Sequence, residues 1–268
     1  MNLLRCLLTE NDCYRAGKTI VPRGVMVHST GANNPMLRRY VQPAKGDVDY
    51  AGLMNELGAN PNQNDWNRTG LAVCVHAFVG RLADGRIATM QTLPWNRRGW
   101  HAGGAANDTH ISFEICEDAL TDPAYFNAVY REAVELTAHL CELYGLNPLE
   151  QGVVICHSEG HRMGIASNHG DVEHWFPKMG KTMDDFRADV AAELKEEDEV
   201  LTQAQFDTMM ERWLEHRAKL SPSGWSEEAR TWAEAMGLIQ GNGSGEMSYK
   251  AFCTREELAT IIYRLEHP

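Results

Sequence analysis

The sequence predicts an α/β fold: a mixed β-sheet flanked by helices, followed by a small all-α module. Three observations carry this. Two short β-branched runs, Gly24-Val25-Met26-Val27 and Val153-Val154-Ile155-Cys156, have the content of buried strands, and each stops at a histidine, His28 and His157. Leu71 to Gly80 and Arg86 to Leu93 flank Ala83-Asp84-Gly85, where Asp-Gly is a strong hairpin signal. From Asp122-Pro123 to Gly145, apolar residues such as Phe126, Val129, Tyr130, Ala133 and Val134 recur at helical spacing, the pattern of a long helix laid on a sheet.

Composition bounds the function. With 268 residues, 43% of them hydrophobic and 23% charged, the chain has room for one large domain and a small one. A net charge of -12 argues against nucleic acid as a partner, because such binding draws its affinity from clustered Lys and Arg. It argues equally against simple attraction to an anionic membrane or wall polymer. Met1 to Leu8 contains an arginine and no apolar core long enough for a signal peptide, and no segment has the apolar length of a membrane span. The expectation is synthesis in the cytoplasm. The seven cysteines are scattered and odd in number, unlike a disulfide framework, so most are read as buried thiols.

Taken in order, the chain opens with a polar stretch and reaches the first histidine-ended run, GVMVHST. A lone His28 would be read as a satisfied core histidine. A second strand ending the same way makes both candidates for a metal site at one end of the sheet. Residues 31 to 70 are rich in Gly, Pro, Asn and Asp, with a helix expected from Tyr50 to Leu57. Within that loop, Trp66 and Asn67 combine an aromatic plate with hydrogen-bonding groups, a mixture that suits a sugar or peptide and equally suits solvated turn chemistry. After the expected hairpin, Trp100-His101-Ala102-Gly103-Gly104 forms a tight turn. Ile111-Ser112-Phe113-Glu114-Ile115-Cys116 is then a strand with one carboxylate in an apolar run. Burying that carboxylate is costly without a charge or metal nearby, so Glu114 is either an outward-facing residue or a catalytic acid or base.

Past the long helix lies the densest polar cluster, GVVICHSEGHRMGIASNHGDVEHWFPK, with His157, His161, His169, Asp171, Glu173 and His174. Imidazoles and carboxylates converging in a segment without helical period read as a zinc site. Cys156 could join it, but a strand turns its side chain to the face opposite its neighbour's. A helix over 184 to 194 precedes the charged run KEEDE, a solvated helix end and linker. Beyond it, helical patterns cover Gln203 to Leu220 and Glu227 to Met236, GLIQGNGSGEM is a glycine-rich turn, and Thr254 with Glu257 forms a capping box for a last helix.

The ordered set GVMVHST, VHAFVGRLADG, GWHAGG, ISFEI, the helix after Asp122, VICHSE and NHGDVEHWFP resembles the N-acetylmuramoyl-L-alanine amidases shared by phage endolysins, wall-recycling amidases and animal peptidoglycan-recognition proteins. The resemblance implies a zinc ion bound by His28, His157 and Asp171, with water in a fourth position. It implies catalytic roles for Glu114 and for His169, the latter at a position where relatives carry Lys or Thr, with His169 standing as the alternative third ligand. Val75 stands where some members have a tyrosine, which makes Glu114 more necessary. Trp100, His101, Trp66, Asn67 and His76 are expected on the substrate side, and His161 and His174 around the ligands or on the surface. The implied domains are a catalytic domain over 1–194, a linker over 195–202 and a helical module over 203–268.

That module resembles a single S-layer-homology repeat, from Trp225-Ser226-Glu227-Glu228-Ala229 to the segment Thr254-Arg255-Glu256-Glu257-Leu258. A lone copy could bind a wall polymer, self-associate or cap the enzyme. The expected function is zinc-dependent cleavage of peptidoglycan between N-acetylmuramic acid and L-alanine by a lysin whose exit depends on a separate membrane-permeabilising protein. A cytoplasmic muropeptide-recycling amidase and a non-catalytic peptidoglycan receptor are the alternatives.

Overall fold

Among the described residues, six short strands build one sheet: β1 (Leu3–Arg5), β2 (Gly24–Ser29), β3 (Ala77–Arg81), β4 (Ile87–Gln91), β5 (His110–Ile115) and β6 (Val154–Cys156). They lie in the order β1-β4-β3-β5-β2-β6. Only the β3–β4 hairpin is antiparallel, and β2 runs parallel to both β5 and β6. The computed structural model describes residues 1–197, 203–241 and 246–267. The chain divides into two compact units, Met1–Asp198 and Glu199–Pro268.

The sheet's two faces follow from strand alternation. Val25 and Val27 of β2, Ile111, Phe113 and Ile115 of β5, and Val154 of β6 pack into one core with Phe126, Val129, Tyr130 and Ala133. These belong to a long helix, Pro123–Tyr144, that Asp122 caps by accepting from the backbone N–H groups of Ala124 and Tyr125, and that Gly145 ends in the left-handed conformation. The in-between residues, Met26 and His28 on β2 and Ser112 and Glu114 on β5, therefore face the other way. There Met26 and Ile155 meet Ala102 and Ala106 in a small second core.

Several elements depart from the sequence reading. The polar start contains β1, which pairs with β4, and a short helix, Asp12–Ala16. Each is too short to show a period. Residues 71–76 are not strand: Cys74 pairs through its backbone with Trp100, both N···O distances being 3.1 Å. The segment after β6 is helical over His157–Arg162, where the Glu159 carboxylate accepts from the Cys156 backbone N–H at 3.0 Å. The cysteine reading holds for most of the seven and misses one linked pair. Cys13 and Cys74 form a disulfide, with Cα atoms 6.4 Å apart across 61 residues of chain, while Cys6, Cys116, Cys141 and Cys156 are buried free thiols and Cys253 is exposed.

The second unit contains helices Gln203–Ala218, Glu227–Ala235 and Arg255–Glu266, the last opened by the Thr254–Glu257 capping box. Most of the expected linker, residues 198–202, and residues 242–245 of the glycine-rich turn lie outside the described residues. Among the described residues, no helix is long and apolar enough to cross a membrane.

Candidate metal centre

Three parallel strands deliver the site. His28 is the penultimate residue of β2, Glu114 the penultimate residue of β5, and His157 follows directly on β6. Because β2 runs parallel to β5 and β6, all three residues reach the same, carboxyl edge of the sheet, the edge where open α/β sheets collect their ligands.

Asp171 comes from a different source. It opens a one-turn 3-10 helix, Asp171–His174, at a positive φ of 39°, a conformation that Asp tolerates better than most side chains. What holds it there is the apolar anchor behind it. Val172, Trp175 and Phe176 are fully or almost fully buried, with the Trp175 ring 5.3 Å from Phe126 and the Phe176 ring 5.4 Å from Tyr130, both on the long helix.

The result is a triangle of donor atoms. His28 Nδ1 and His157 Nδ1 are 3.2 Å apart, and Asp171 Oδ2 lies 3.2 Å from the first and 2.8 Å from the second. Zn–N and Zn–O bonds of about 2.05 Å in a tetrahedron put neighbouring ligand atoms about 3.3 Å apart, so the donor set fits zinc in size as well as type. Burial holds His28 below its ordinary pKa, which favours the neutral imidazole. Burial alone would raise the Asp171 pKa, but hydrogen bonds from His157 and His28 outweigh it and hold the carboxyl well below the usual carboxylate range. His157 and His28 turn their remaining nitrogens to Ser167 and His101, at 3.1 and 3.0 Å.

Glu114 faces this triangle from the next strand. In the β2–β5 register it is directly opposite His28. Its Oε2 is buried without a hydrogen-bond partner. Burial first, then the charges of Asp171 and Glu117, push its carboxyl well above its ordinary pKa. A carboxyl poised towards its protonated form beside a cation site is equipped to take and return a proton.

The other expected residues divide. His169 is exposed, and its ring meets that of His157 edge-on at 4.7 Å, while Asp171 rather than His169 completes the donor group. Trp100 is 45% exposed, with the Arg98 guanidinium 5.3 Å from its ring centre. His161 is exposed, and His174 pairs with Glu117 at 2.9 Å. Cys156 lies in the core on the helix side of the sheet.

Four residues expected on the substrate side have partners within the protein. His76 is fully buried, with Nε2 2.7 Å from Arg97 O and Nδ1 3.0 Å from the Ser112 N–H. His101 turns its Nδ1 onto His28 instead of outward. Trp66 packs edge-on against Phe78 at 5.0 Å, and Asn67 spends its amide on the backbone of Glu10 and Gln42. In sequence, an aromatic beside an amide looks the same whether it meets a ligand or staples a loop. Ser167, Glu117 and Asn107 escaped the sequence reading, since a serine, a glutamate and an asparagine in polar loops carry no periodic or spacing signal.

A family model described as N-acetylmuramoyl-L-alanine amidase matches residues 17–174. Among solved structures, the chain is similar to the Staphylococcus aureus hydrolase AmiA in complex with its ligand, with 20% identity over 72% of this chain and 82% of that one and a TM-score of 0.49. It is also similar to the catalytic domain of XlyA, at 21% identity over 71% and 99% of the two chains and a TM-score of 0.46. PlyL matches at 20% identity over 71% and 96%, with a TM-score of 0.44. No curated protein matches the chain.

Proposed function

Since this chain belongs to the N-acetylmuramoyl-L-alanine amidase family, whose model spans more than half its length, we propose that it cleaves peptidoglycan with a zinc ion held by His28, His157 and Asp171. The bond broken is the amide between N-acetylmuramic acid and the L-alanine of the stem peptide. The observation that carries the zinc reading is the triangle of two imidazole nitrogens and one carboxylate oxygen, all within 4.8 Å of one another.

When bound, zinc supplies Lewis acidity towards an amide carbonyl and makes a water molecule easier to deprotonate near neutral pH. Glu114 takes the proton of the attacking water and hands it to the departing amine, a two-way task suited to a carboxyl whose pKa is already raised. His169, exposed beside His157, donates to the carbonyl oxygen as negative charge develops there. Trp100, half exposed next to the site-facing turn, offers a flat apolar plate to the sugar or stem peptide.

Action on polymeric wall as a lysin, rather than on small recycled fragments, is supported by the second unit. Its Trp225 and Trp232 are 88% and 53% exposed, side chains suited to attachment rather than to a core. We read this unit as the S-layer-homology-like attachment module, engaging wall polymer or another copy. The deciding experiment adds purified protein to intact sacculi and to soluble muropeptides. Turbidity loss with newly exposed N-terminal alanine is the expected result. Release from soluble fragments alone would replace the lysin reading with recycling, and binding without release would replace it with a receptor.

A further inference from the structure

Both candidate zinc-binding histidines use Nδ1 inside the triangle, so each has an Nε2 left over. His28 Nε2 lies 3.0 Å from His101 Nδ1, and His157 Nε2 lies 3.1 Å from Ser167 Oγ. The two outer partners come from segments more than sixty residues apart, yet they belong to one hydrogen-bonded unit. Ser167 donates to Ala102 O through both its backbone N–H, at 2.8 Å, and its hydroxyl, at 3.2 Å. Ala106 N–H donates to Ile165 O at 3.0 Å. Asn107 Oδ1 accepts from the backbone N–H groups of His101 and Ala102 at 2.8 and 2.9 Å, which fixes the turn that carries His101.

Glycines let the two segments meet. A Cβ on Gly104 would stand 2.5 Å from Ile165 O, and one on Gly103, at φ +64°, would stand 2.8 Å from Ser167 Oγ. The Ser167 hydroxyl can place its proton on Ala102 O and turn a lone pair to His157 Nε2–H. In the metal-free protein His157 Nδ1–H meets Asp171 Oδ2 at 2.8 Å; on metal uptake that proton leaves, and Ser167 holds the remaining one on Nε2. His101 Nδ1 can accept from His28 Nε2–H in the same way.

We propose that the Trp100–Gly104 turn and the Ile165–Ser167 segment form a single clamp, in which His101 and Ser167 are positioning residues that set the orientation and tautomer of both zinc-binding histidines. This rests on the reading of His28 and His157 as zinc ligands and gives His101 a role other than substrate contact. Outer partners of this kind are typically worth about 10- to 100-fold in metal affinity.

The test titrates the full chain with zinc against a chromophoric chelator, and records the visible spectrum of the Co2+-loaded protein. His101→Phe fills the space but removes the acceptor, and its zinc affinity falls by about 10- to 100-fold. His101→Asn, whose Oδ1 can replace Nδ1, recovers most of that loss. Ser167→Ala weakens zinc by about tenfold, and Gly104→Ala, which touches neither ligand, weakens it as well by prising the segments apart. Circular dichroism and the metal-free melting temperature check that each variant is folded, and Ser167→Ala serves as the minimal change if His101→Phe is not. Wild-type affinity in folded Ser167→Ala and Gly104→Ala overturns the clamp while leaving the ligands in place. Failure of the unmodified chain to take up stoichiometric zinc overturns the ligand assignment and the clamp with it.

Discussion

Glu114 stands directly across the parallel β2–β5 pairing from His28, so a carboxyl held above its ordinary pKa shares one sheet face with a candidate zinc ligand. The relationship follows from strand alternation. Val27 and Phe113, one residue earlier on each strand, go to the core under the long helix, and His28 and Glu114 must then go together to the other side. Neither side chain can leave this pairing without a shift of register, which would drive β-branched residues out of the core.

Replacing Glu114 with Gln keeps the shape and removes the proton carrier. Turnover on muropeptide substrate should fall by roughly 10²-fold or more, the range for a positioned acid-base group, with zinc content unchanged. Near-normal turnover would remove Glu114 from the chemistry.

The same substitution makes a stability prediction of the opposite sign. The folded protein holds the Glu114 proton more tightly than the unfolded chain, so the contribution is fully present below the ordinary glutamate pKa of about 4.3 and is lost as pH rises through the folded-state value. In zinc-free protein, Glu114→Gln should therefore melt higher than the unmodified chain at pH 8. The gap should close as pH falls towards 4. Equal melting temperatures at both ends would show that folding does not raise the Glu114 pKa.

Zinc itself should act as a stabiliser. A ligand present at one hundred times its Kd adds about 2.7 kcal/mol to the folded state, provided the unfolded chain does not bind it. Thermal melts with zinc and with a chelator should thus separate for the unmodified chain and coincide for His28→Ala. Full zinc occupancy in His28→Ala would refute its place in the triangle.

The Cys13–Cys74 link closes a 61-residue span, for which the chain-entropy model gives about 4 kcal/mol, at the upper end of the usual 2–4 kcal/mol. Reduction, or Cys13→Ser, should lower the chemical-denaturation midpoint without changing the zinc stoichiometry. Because Cys74 pairs through its backbone with Trp100, hydrogen exchange should also speed up in the turn beside it. An unchanged midpoint on reduction would mean that the thiols are not linked in solution.

How much of this was legible in the chain depends on the kind of signal each residue leaves. His28, Glu114 and His157 each end or nearly end an apolar run, and a strand that stops at a polar residue announces which residue the sheet will present at its edge. The hairpin at Asp84-Gly85 and the helix from Pro123 to Tyr144 were likewise readable, from turn chemistry and from a long period. The short helix His157–Arg162 was not, because six residues held by one capping carboxylate leave no period to find.

What the sequence determined by itself is the set of elements with strong local physics and the family to which their order belongs. What only the tertiary structure decided is which polar residues meet. His76 and His101 are both histidines in glycine-flanked or strand-flanked segments, yet one is sealed between Arg97 O and Ser112 while the other meets His28. Cys13 finds Cys74, and Ser167 finds His157, across gaps that no local pattern spans. The physical reason is that helix and strand propensities act over a few residues, whereas a hydrogen bond between distant side chains exists only once the core has brought their backbones together.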